Sequence, residues 1–298
     1  MLSAAAMAES GRERCPVCAG PTVPVGEKRG RLRAEPYRLR RCERCGFGFV
    51  SDPCEDYARI YNEDYYRGQG ADPSVDYFGE LKHPDDSVRR YEWAGIERAV
   101  GSLVDLRQAR WLDYGCGNGG LVRYLNSGAP GRAVGFETGW IADSARAAGI
   151  PVLQREELVG AGPFDVVTAI EVLEHLVDPL ATLREVRALL RPGGLFFFTT
   201  GNAQPHRKNL VRWSYVVPDV HVGFFEPGTM RRALEQTGFR PEHRGFLPGY
   251  ETIIKFKVLK NLGVRRRSAW FDLLPWDSLT RLIDARMSVT GHPVGWAV

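Results

Sequence analysis

Residues 109–120 read ARWLDYGCGNGG, an apolar segment that runs into a glycine-rich turn. Asp113 ends the predicted strand, and Gly115, Gly117 and Gly119 follow at alternate positions. Glycines at such a turn let the backbone approach a ligand closely, and a helix N-terminus beyond them favours a negative group. The turn also satisfies G-x-G-x-x-G, so a dinucleotide site is one interpretation of it.

Outward from this turn, short apolar segments alternate with amphipathic ones. The predicted strands are ARWLDY (109–114), RAVGFE (132–137), PFDVVTAI (163–170) and LFFFTT (195–200), and PLATLREVRALL (179–190) is a predicted helix. Apolar strands between amphipathic helices indicate an α/β fold with a parallel sheet covered on both faces. FRPEHRGF (239–246) and YETIIKFKVL (250–259) follow each other with no helix between them, which predicts an antiparallel pair at one sheet edge.

Four of the six cysteines form two C-x-x-C pairs, Cys15 with Cys18 and Cys42 with Cys45. In a reducing cytosol, two such pairs predict a tetrahedral thiolate site for structural Zn²⁺. Disulfides are the alternative, which the lack of a secretion signal disfavours. We therefore expect a small zinc-ribbon-like module over residues 11–54.

Further motifs follow the glycine turn. Glu137 ends the next predicted strand, and FDVVTAIEVLEH (164–175) and LLRPGGLFFFTT (189–200) come after it. In this combination of motifs the chain resembles class I S-adenosylmethionine (SAM)-dependent methyltransferases over about residues 90–258. The resemblance implies a Rossmann-like sheet of seven strands, parallel except for one reversed strand.

The resemblance also implies where SAM binds. Asp113, Gly115 and Gly117 would face its methionine portion, Glu137 would hold the ribose, and the backbone of Ile170 would lie near the amino acid group. A carboxylate at position 113 repels a pyrophosphate and attracts an ammonium group, which favours SAM over a dinucleotide.

The adenine contact of the family is often an acid after the third strand. The corresponding segment here is LQREEL (153–158), with Arg155 where aspartate is common. The resemblance therefore implies Glu156 as the residue that contacts the adenine.

Glu171, Glu174 and His175 crowd together where the strand PFDVVTAI ends. Two carboxylates and an imidazole placed so closely repel or shift one another unless a positive group arrives. This E-x-x-E-H run resembles the metal-binding element of ubiquinone O-methyltransferases and of plant small-RNA 2′-O-methyltransferases. The resemblance adds His221 and implies Mg²⁺ or Mn²⁺ on these four residues, with Zn²⁺ or Fe²⁺ also compatible. Metal-free base catalysis by His175 and a purely structural cluster are the alternatives.

The net charge of +4 is unevenly spread, with ten Lys/Arg against four Glu in residues 11–50 and six basic residues without an acid in 255–267. We interpret both segments as solvated basic faces, with a polyanion site as the alternative. No apolar run approaches the ~18–20 residues that span a bilayer. The first ten residues do not read as a signal peptide. We expect a cytoplasmic protein that does not bind membranes.

The predicted domain organisation begins with a disordered tail at 1–10, followed by the zinc module. A helical linker or cap follows at 55–105, then the methyltransferase domain at 106–258 with a lid-like insertion at 201–226, and a C-terminal helical extension at 259–298. The cap is rich in tyrosine (Tyr57, Tyr61, Tyr65 and Tyr66). We expect these rings to pack between modules, with a lid over a pocket as the alternative.

The function expected from these features is O-methylation of a hydroxyl on a small molecule or sugar, in a natural-product or glycan pathway, with His175 and His221 as catalytic candidates. RNA 2′-O-methylation is an alternative, although the basic segment 255–267 lacks the interleaved aromatics of single-strand binders. Sugar C-methylation is a second alternative, although those enzymes resemble this chain less because they carry a large extra C-terminal domain. A non-catalytic adaptor is the third.

Overall fold

The computed structural model describes residues 12–70, 77–244, 247–287 and 292–297. The tail predicted at 1–10 lies outside these residues. The strands are β1 (Thr22–Lys28), β2 (Tyr37–Cys42), β3 (Gly48–Val50), β4 (Trp111–Tyr114), β5 (Ala133–Phe136), β6 (Val152–Leu153), β7 (Phe164–Ile170), β8 (Leu190–Thr199), β9 (Gly223–Phe224), β10 (Phe239–Arg244) and β11 (His292–Ala297).

Helices and short helical turns connect these strands. The helices are α1 (Tyr57–Ile60), α2 (Glu63–Tyr66), α3 (Tyr77–Lys82), α4 (Arg90–Gly101), α5 (Gly120–Gly128), α6 (Trp140–Ala147), α7 (Arg155–Ala161), α8 (Pro179–Leu189), α9 (Pro227–Gln236), α10 (Tyr250–Asn261) and α11 (Trp276–Met287). Among the described residues, no helix has the length and apolar character needed to cross a bilayer.

The larger sheet has seven strands in the order β10-β11-β8-β7-β4-β5-β6. The strands from β8 to β6 pair in parallel, whereas β11 runs antiparallel to both of its neighbours. This confirms the expected α/β sheet with one reversed strand. Because the parallel strands share a direction, their carboxyl ends meet at one edge, where ligands of such sheets bind.

Both faces of this sheet are buried, as its continuous apolar strands predict. Along β8, Phe196 and Phe198 pack on one side with Leu183 of α8. Leu195 and Phe197 pack on the other side with Ile96 of α4. The alternation follows from the two-residue period of a strand.

The predicted edge pair is wrong in its second member. YETIIKFKVL (250–259) lies in helix α10, and the antiparallel partner of β10 is β11. The β-branched and aromatic side chains favoured a strand, but Tyr250, Ile253 and Ile254 recur at helical spacing and are buried. Packing of this helix against α4 outweighs local propensity. The extension 259–298 is therefore not purely helical, since it supplies the reversed strand of the sheet.

A second, four-stranded sheet has the order β1-β2-β3-β9. Its first three strands lie within the predicted zinc module. Its fourth strand, β9, belongs to the segment predicted as a lid-like insertion, and it pairs with β3 antiparallel. The module and the methyltransferase-like region therefore share one sheet.

Candidate functional site

The glycine turn lies between β4 and α5 with its backbone in the left-handed region, at φ +74° for Gly115 and +55° for Gly117. A Cβ on Gly115 would stand 2.6 Å from Cγ2 of Val172, so a larger residue does not fit there. Asn118 donates through its side chain to the Tyr77 carbonyl at 3.0 Å and to Glu80 at 3.1 Å. The turn is thus tied to α3.

Two acids flank this turn. Asp113 is buried and accepts a hydrogen bond from the Thr168 hydroxyl at 2.7 Å. Burial outweighs that bond and raises the pKa of Asp113 to about 7. Glu137 accepts from the backbone N–H of Gly117 at 3.0 Å and of Thr138 at 2.8 Å. The pKa of Glu137 is also raised by burial. Both carboxyl groups stand beside the left-handed turn, as the resemblance implies for a SAM site.

The tyrosine-rich cap covers this turn. Tyr65 and Tyr66 are buried, whereas Tyr57 is 52% exposed. Tyr66 stacks on Trp140 at 6.1 Å between ring centroids. The ring of Tyr77 would lie 3.4 Å from a Cβ on Gly117. Tyr66 thus packs between the cap and α6, and Tyr77 lies next to the glycine turn.

Two of the residues that were predicted to contact SAM are less buried than Asp113. Ile170 is half-buried at the carboxyl end of β7. Glu156 is exposed in the first turn of α7, where Glu157 forms a capping box with Gln154. Arg155, the neighbour in the motif, pairs with Glu185 of α8.

Glu171 follows β7 with a backbone φ of +53°. A non-glycine residue in this region costs about 1–2 kcal/mol, so its surroundings must hold it there. Lys257 of α10 forms an ion pair with Glu171 at 2.8 Å. Burial disfavours the carboxylate, but the Lys257 ammonium outweighs it and holds the pKa of Glu171 below its usual range.

Glu174 is fully buried in the helical turn Leu173–His175. It accepts hydrogen bonds from the Tyr215 hydroxyl and from the Thr200 hydroxyl, the latter at 2.8 Å. Burial, together with the nearby charge of Glu171, raises the pKa of Glu174 to about 8. Near neutral pH, Glu171 is therefore ionised, whereas Glu174, three residues later, favours the protonated, neutral form.

The structure brings Glu174, His175 and His221 together, with one potential ligand atom from each within 4.8 Å of the others. Nδ1 of His221 lies 2.6 Å from the carbonyl oxygen of Tyr215. Because a carbonyl oxygen can only accept a hydrogen bond, Nδ1 carries the hydrogen. In the neutral ring, Nε2 then keeps its lone pair for a metal or a proton. Nδ1 of His175 lies 2.9 Å from the hydroxyl of Tyr61 in the cap.

The four-residue set predicted for a divalent metal is reduced to three. Glu171 does not belong to the group of ligand atoms within 4.8 Å, because its carboxylate turns to Lys257. Ligand atoms around one ion at about 2.1 Å lie up to about 4.2 Å apart. The three remaining groups therefore need only a small adjustment to hold one cation.

The four predicted zinc ligands form a second cluster, in which all four Sγ atoms lie within 4.8 Å of one another. Cys15 and Cys45 are 3.5 Å apart, and Cys18 and Cys42 are 3.4 Å apart. Sulfur atoms of a tetrahedral zinc site with 2.3 Å bonds are separated by about 3.8 Å. Burial raises the pKa of Cys18, but hydrogen bonds led by Arg44 lower it to about 6, towards the thiolate that binds metals. The donor set fits Zn²⁺.

Several residues of the site were not predicted from the sequence. The Tyr215 hydroxyl lies within hydrogen-bond distance of Glu171 and Glu174, and Lys257 neutralises Glu171. Tyr61, which was expected only as a packing or lid residue of the cap, contacts His175. Tyr215 stands six residues before His221, which is a local signal for its role. Lys257 carries no such signal, because its position in the site depends on α10 being a helix.

Known proteins and a known family match this chain. A family model described as a methyltransferase domain matches residues 87–244, more than half of the chain. The ubiquinone biosynthesis O-methyltransferase of Bordetella avium is 32% identical over 174 residues, which cover 51% of this chain and 68% of that protein. The corresponding protein of Escherichia coli O157:H7 is 33% identical over 183 residues, 55% of this chain and 75% of that one.

Among solved structures, a SAM-dependent methyltransferase from Mesorhizobium loti is 22% identical with a TM-score of 0.42, covering 57% of this chain and 95% of that chain. The family match rests on the region that contains the glycine turn, Glu137 and the E-x-x-E-H run. The chain therefore belongs to the methyltransferase domain family and is a methyltransferase.

Proposed function

We propose that the protein methylates the oxygen of a hydroxyl group on a small molecule or sugar, in a natural-product or glycan pathway. The observation that carries this proposal is the cluster of Glu174, His175 and His221 beside the glycine turn. O-methylation needs a means of removing the hydroxyl proton, and such a cluster provides one. The relatives named as ubiquinone biosynthesis O-methyltransferases support oxygen as the acceptor atom.

SAM supplies an already activated methyl group when bound, so the residues of this chain mainly align the acceptor and remove its proton. Asp113 and Glu137 are proposed to bind the ammonium and the ribose of SAM, against the backbone of Gly115 and Gly117. On that side, Tyr77 lies next to Gly117, and Tyr66 packs against Trp140.

We propose that Glu174, His175 and His221 hold a divalent cation. A set of one carboxylate and two imidazoles suits Mn²⁺, Fe²⁺ or Zn²⁺ better than Mg²⁺, whose preferred ligands are oxygen atoms. A bound cation lowers the pKa of a coordinated hydroxyl. Lys257 and Tyr215 hold Glu171 away from this set and fix its backbone at the end of β7. The four cysteines are proposed to bind a structural Zn²⁺.

The basic residues of the N-terminal module favour a small acceptor over RNA. Arg41 pairs with Glu226 at 2.6 Å, Arg33 pairs with Asp52 at 2.7 Å, and Lys28 donates to a backbone carbonyl at 2.9 Å. These three side chains form bonds within the protein, whereas the basic side chains of an RNA-binding face would point towards phosphate groups.

The test is transfer of radiolabelled methyl from SAM to catechols, nucleotide sugars and total RNA. We expect turnover of a hydroxyl compound with little dependence on salt, since counterion release is absent. Gly117→Arg should abolish SAM binding in calorimetry while the zinc content stays near one per chain. Methylation of RNA alone, or of a sugar carbon, would replace the proposed acceptor.

The metal is tested on the same reaction. A chelator should remove activity, and Mn²⁺, Fe²⁺ or Zn²⁺ should restore it better than Mg²⁺ does. The variant His221→Ala should lose activity with every metal. Full activity after exhaustive chelation would assign His175 the role of a metal-free base.

A further inference from the structure

The segment that carries His221 is held on one side by the N-terminal module. Two residues before His221, the buried side chain of Asp219 accepts three hydrogen bonds from that module. The donors are the backbone N–H of Arg31 at 2.6 Å, that of Leu32 at 3.2 Å, and the hydroxyl of Tyr37 at 2.8 Å. A buried carboxylate is tolerated only when it is bonded in this way.

The fit around Asp219 is close. Tyr37 is fully buried. A Cβ on Gly30 would stand 2.3 Å from Oδ1 of Asp219, so the backbone of the module approaches the carboxylate as only glycine allows. The turn that contains Asp219 is closed by the N–H groups of Val220 and His221, which both donate to the Val217 carbonyl.

The residues after His221 are clamped from both sides. Val222 donates its N–H to the Glu174 carbonyl at 2.7 Å and accepts from the N–H of Val50 at 3.0 Å. Next, β9 pairs with β3 through Gly223 and Phe224. His221 therefore sits between two anchors on the module, and Glu174 of the cluster is tied to the same backbone.

We propose that Asp219 is a positioning residue for His221, through which the N-terminal module aligns the imidazole with Glu174 and His175. This role rests on the proposed function, in which His221 acts on the acceptor side. Through Asp219, the module would influence the reaction without contacting the substrate. Sequence alone did not single out Asp219, Tyr37 or Gly30, because their contact joins segments about 180 residues apart.

The primary test does not require an acceptor. In a long-range ¹H–¹⁵N spectrum of the histidine imidazoles, His221→Gln identifies the His221 signals. We expect those signals to carry the Nδ1–H tautomer in the parent protein and to shift or broaden in Asp219→Asn and in Gly30→Ala. The Kd for SAM, measured by calorimetry, should change less than about twofold, since the glycine turn lies on other elements.

The matched control is Asp52→Asn. Asp52 is also a half-buried carboxylate of the module, but it bonds Arg33 and Arg38 within the module and not the segment of His221. It should leave the His221 signals in place even if it lowers stability. Tyr37→Phe removes one of the three donors and should give a smaller shift than Asp219→Asn.

Kinetics give a second readout, with whichever hydroxyl compound is turned over. We expect Asp219→Asn to lower kcat by about ten- to a hundredfold, as misplacement of a reacting group does, with KM for SAM unchanged. Unchanged His221 signals in folded Asp219→Asn and Gly30→Ala would overturn the proposal. If no hydroxyl is methylated, the proposed function fails, but the spectra still decide whether Asp219 positions His221.

Discussion

At the scale of single residues, the environment decides what each acid of the site does. Glu171 and Glu174 are the same side chain three positions apart, yet Lys257 keeps one ionised and burial favours the protonated form of the other. A sequence motif presents them as equivalent metal ligands. The difference comes from a lysine 86 residues away in the chain, which no local pattern identifies.

The proposed SAM site can be tested at Asp113 by measuring SAM affinity as a function of pH. Its pKa of about 7 means that the carboxyl is largely protonated below pH 7. Binding of the SAM ammonium favours the ionised form, so SAM affinity should rise as pH increases from 6 to 8, by at most about tenfold per pH unit below the pKa. Calorimetric Kd values across this range give the profile. Asp113→Asn should bind SAM more weakly at pH 8 and lose this part of the dependence.

Thr168→Val is the matched control for this profile. The Thr168 hydroxyl stabilises the carboxylate, so its removal should raise the pKa of Asp113 further and move the increase in affinity to higher pH. A profile that is the same in the parent and both variants would show that Asp113 does not face the ammonium group.

At the scale of elements, the sequence predicted the segments whose pattern matches their packing. The strands β4, β5 and β7 and the helix α8 lie where the apolar patterns place them, whereas β8 begins at Leu190, five residues before the predicted start of its strand. Helix α10 was missed because Ile253, Ile254 and Phe256 favour a strand locally, whereas burial against α4 selects the helix. The error also concealed β11, since the predicted edge already had its antiparallel pair.

The contact between α4 and α10 depends on two glycines. Gly249, at φ +89°, precedes α10, and a Cβ there would stand 2.4 Å from the Gly95 carbonyl oxygen. Gly249→Ala should lower the free energy of unfolding by about 2–5 kcal/mol, the sum of left-handed strain and overpacking. Denaturant unfolding followed by circular dichroism measures this loss.

Gly263→Ala provides the comparison at the other end of the same helix. Gly263 has a similar φ of +76°, but no atom lies within 4 Å of an added Cβ. Only the strain of about 1–2 kcal/mol should appear. Equal losses in the two variants would mean that the helix contact does not constrain Gly249.

At the scale of the whole molecule, the cysteine spacing predicted the N-terminal module but not how it joins the rest. The four thiols assemble as expected. The contacts between them include the pairing of β3 with β9, the bonds to Asp219, and the ion pair of Arg41 with Glu226. Such contacts between distant segments leave no periodic pattern in a sequence, so the module was predicted as separate.

This shared sheet predicts that the cluster of four cysteines and the methyltransferase region unfold together. Cys42→Ser removes a buried ligand, and the metal-binding free energy of such sites is part of the folding free energy. We expect zinc content to fall to near zero and the single melting transition to drop by about 10 °C or more.

Cys54→Ser, which replaces a cysteine outside the cluster, should keep both the metal and the melting temperature. Metal analysis, far-ultraviolet circular dichroism and tryptophan fluorescence test this jointly. A separate early transition in Cys42→Ser, with the main one unmoved, would show that the module folds independently of the seven-stranded sheet.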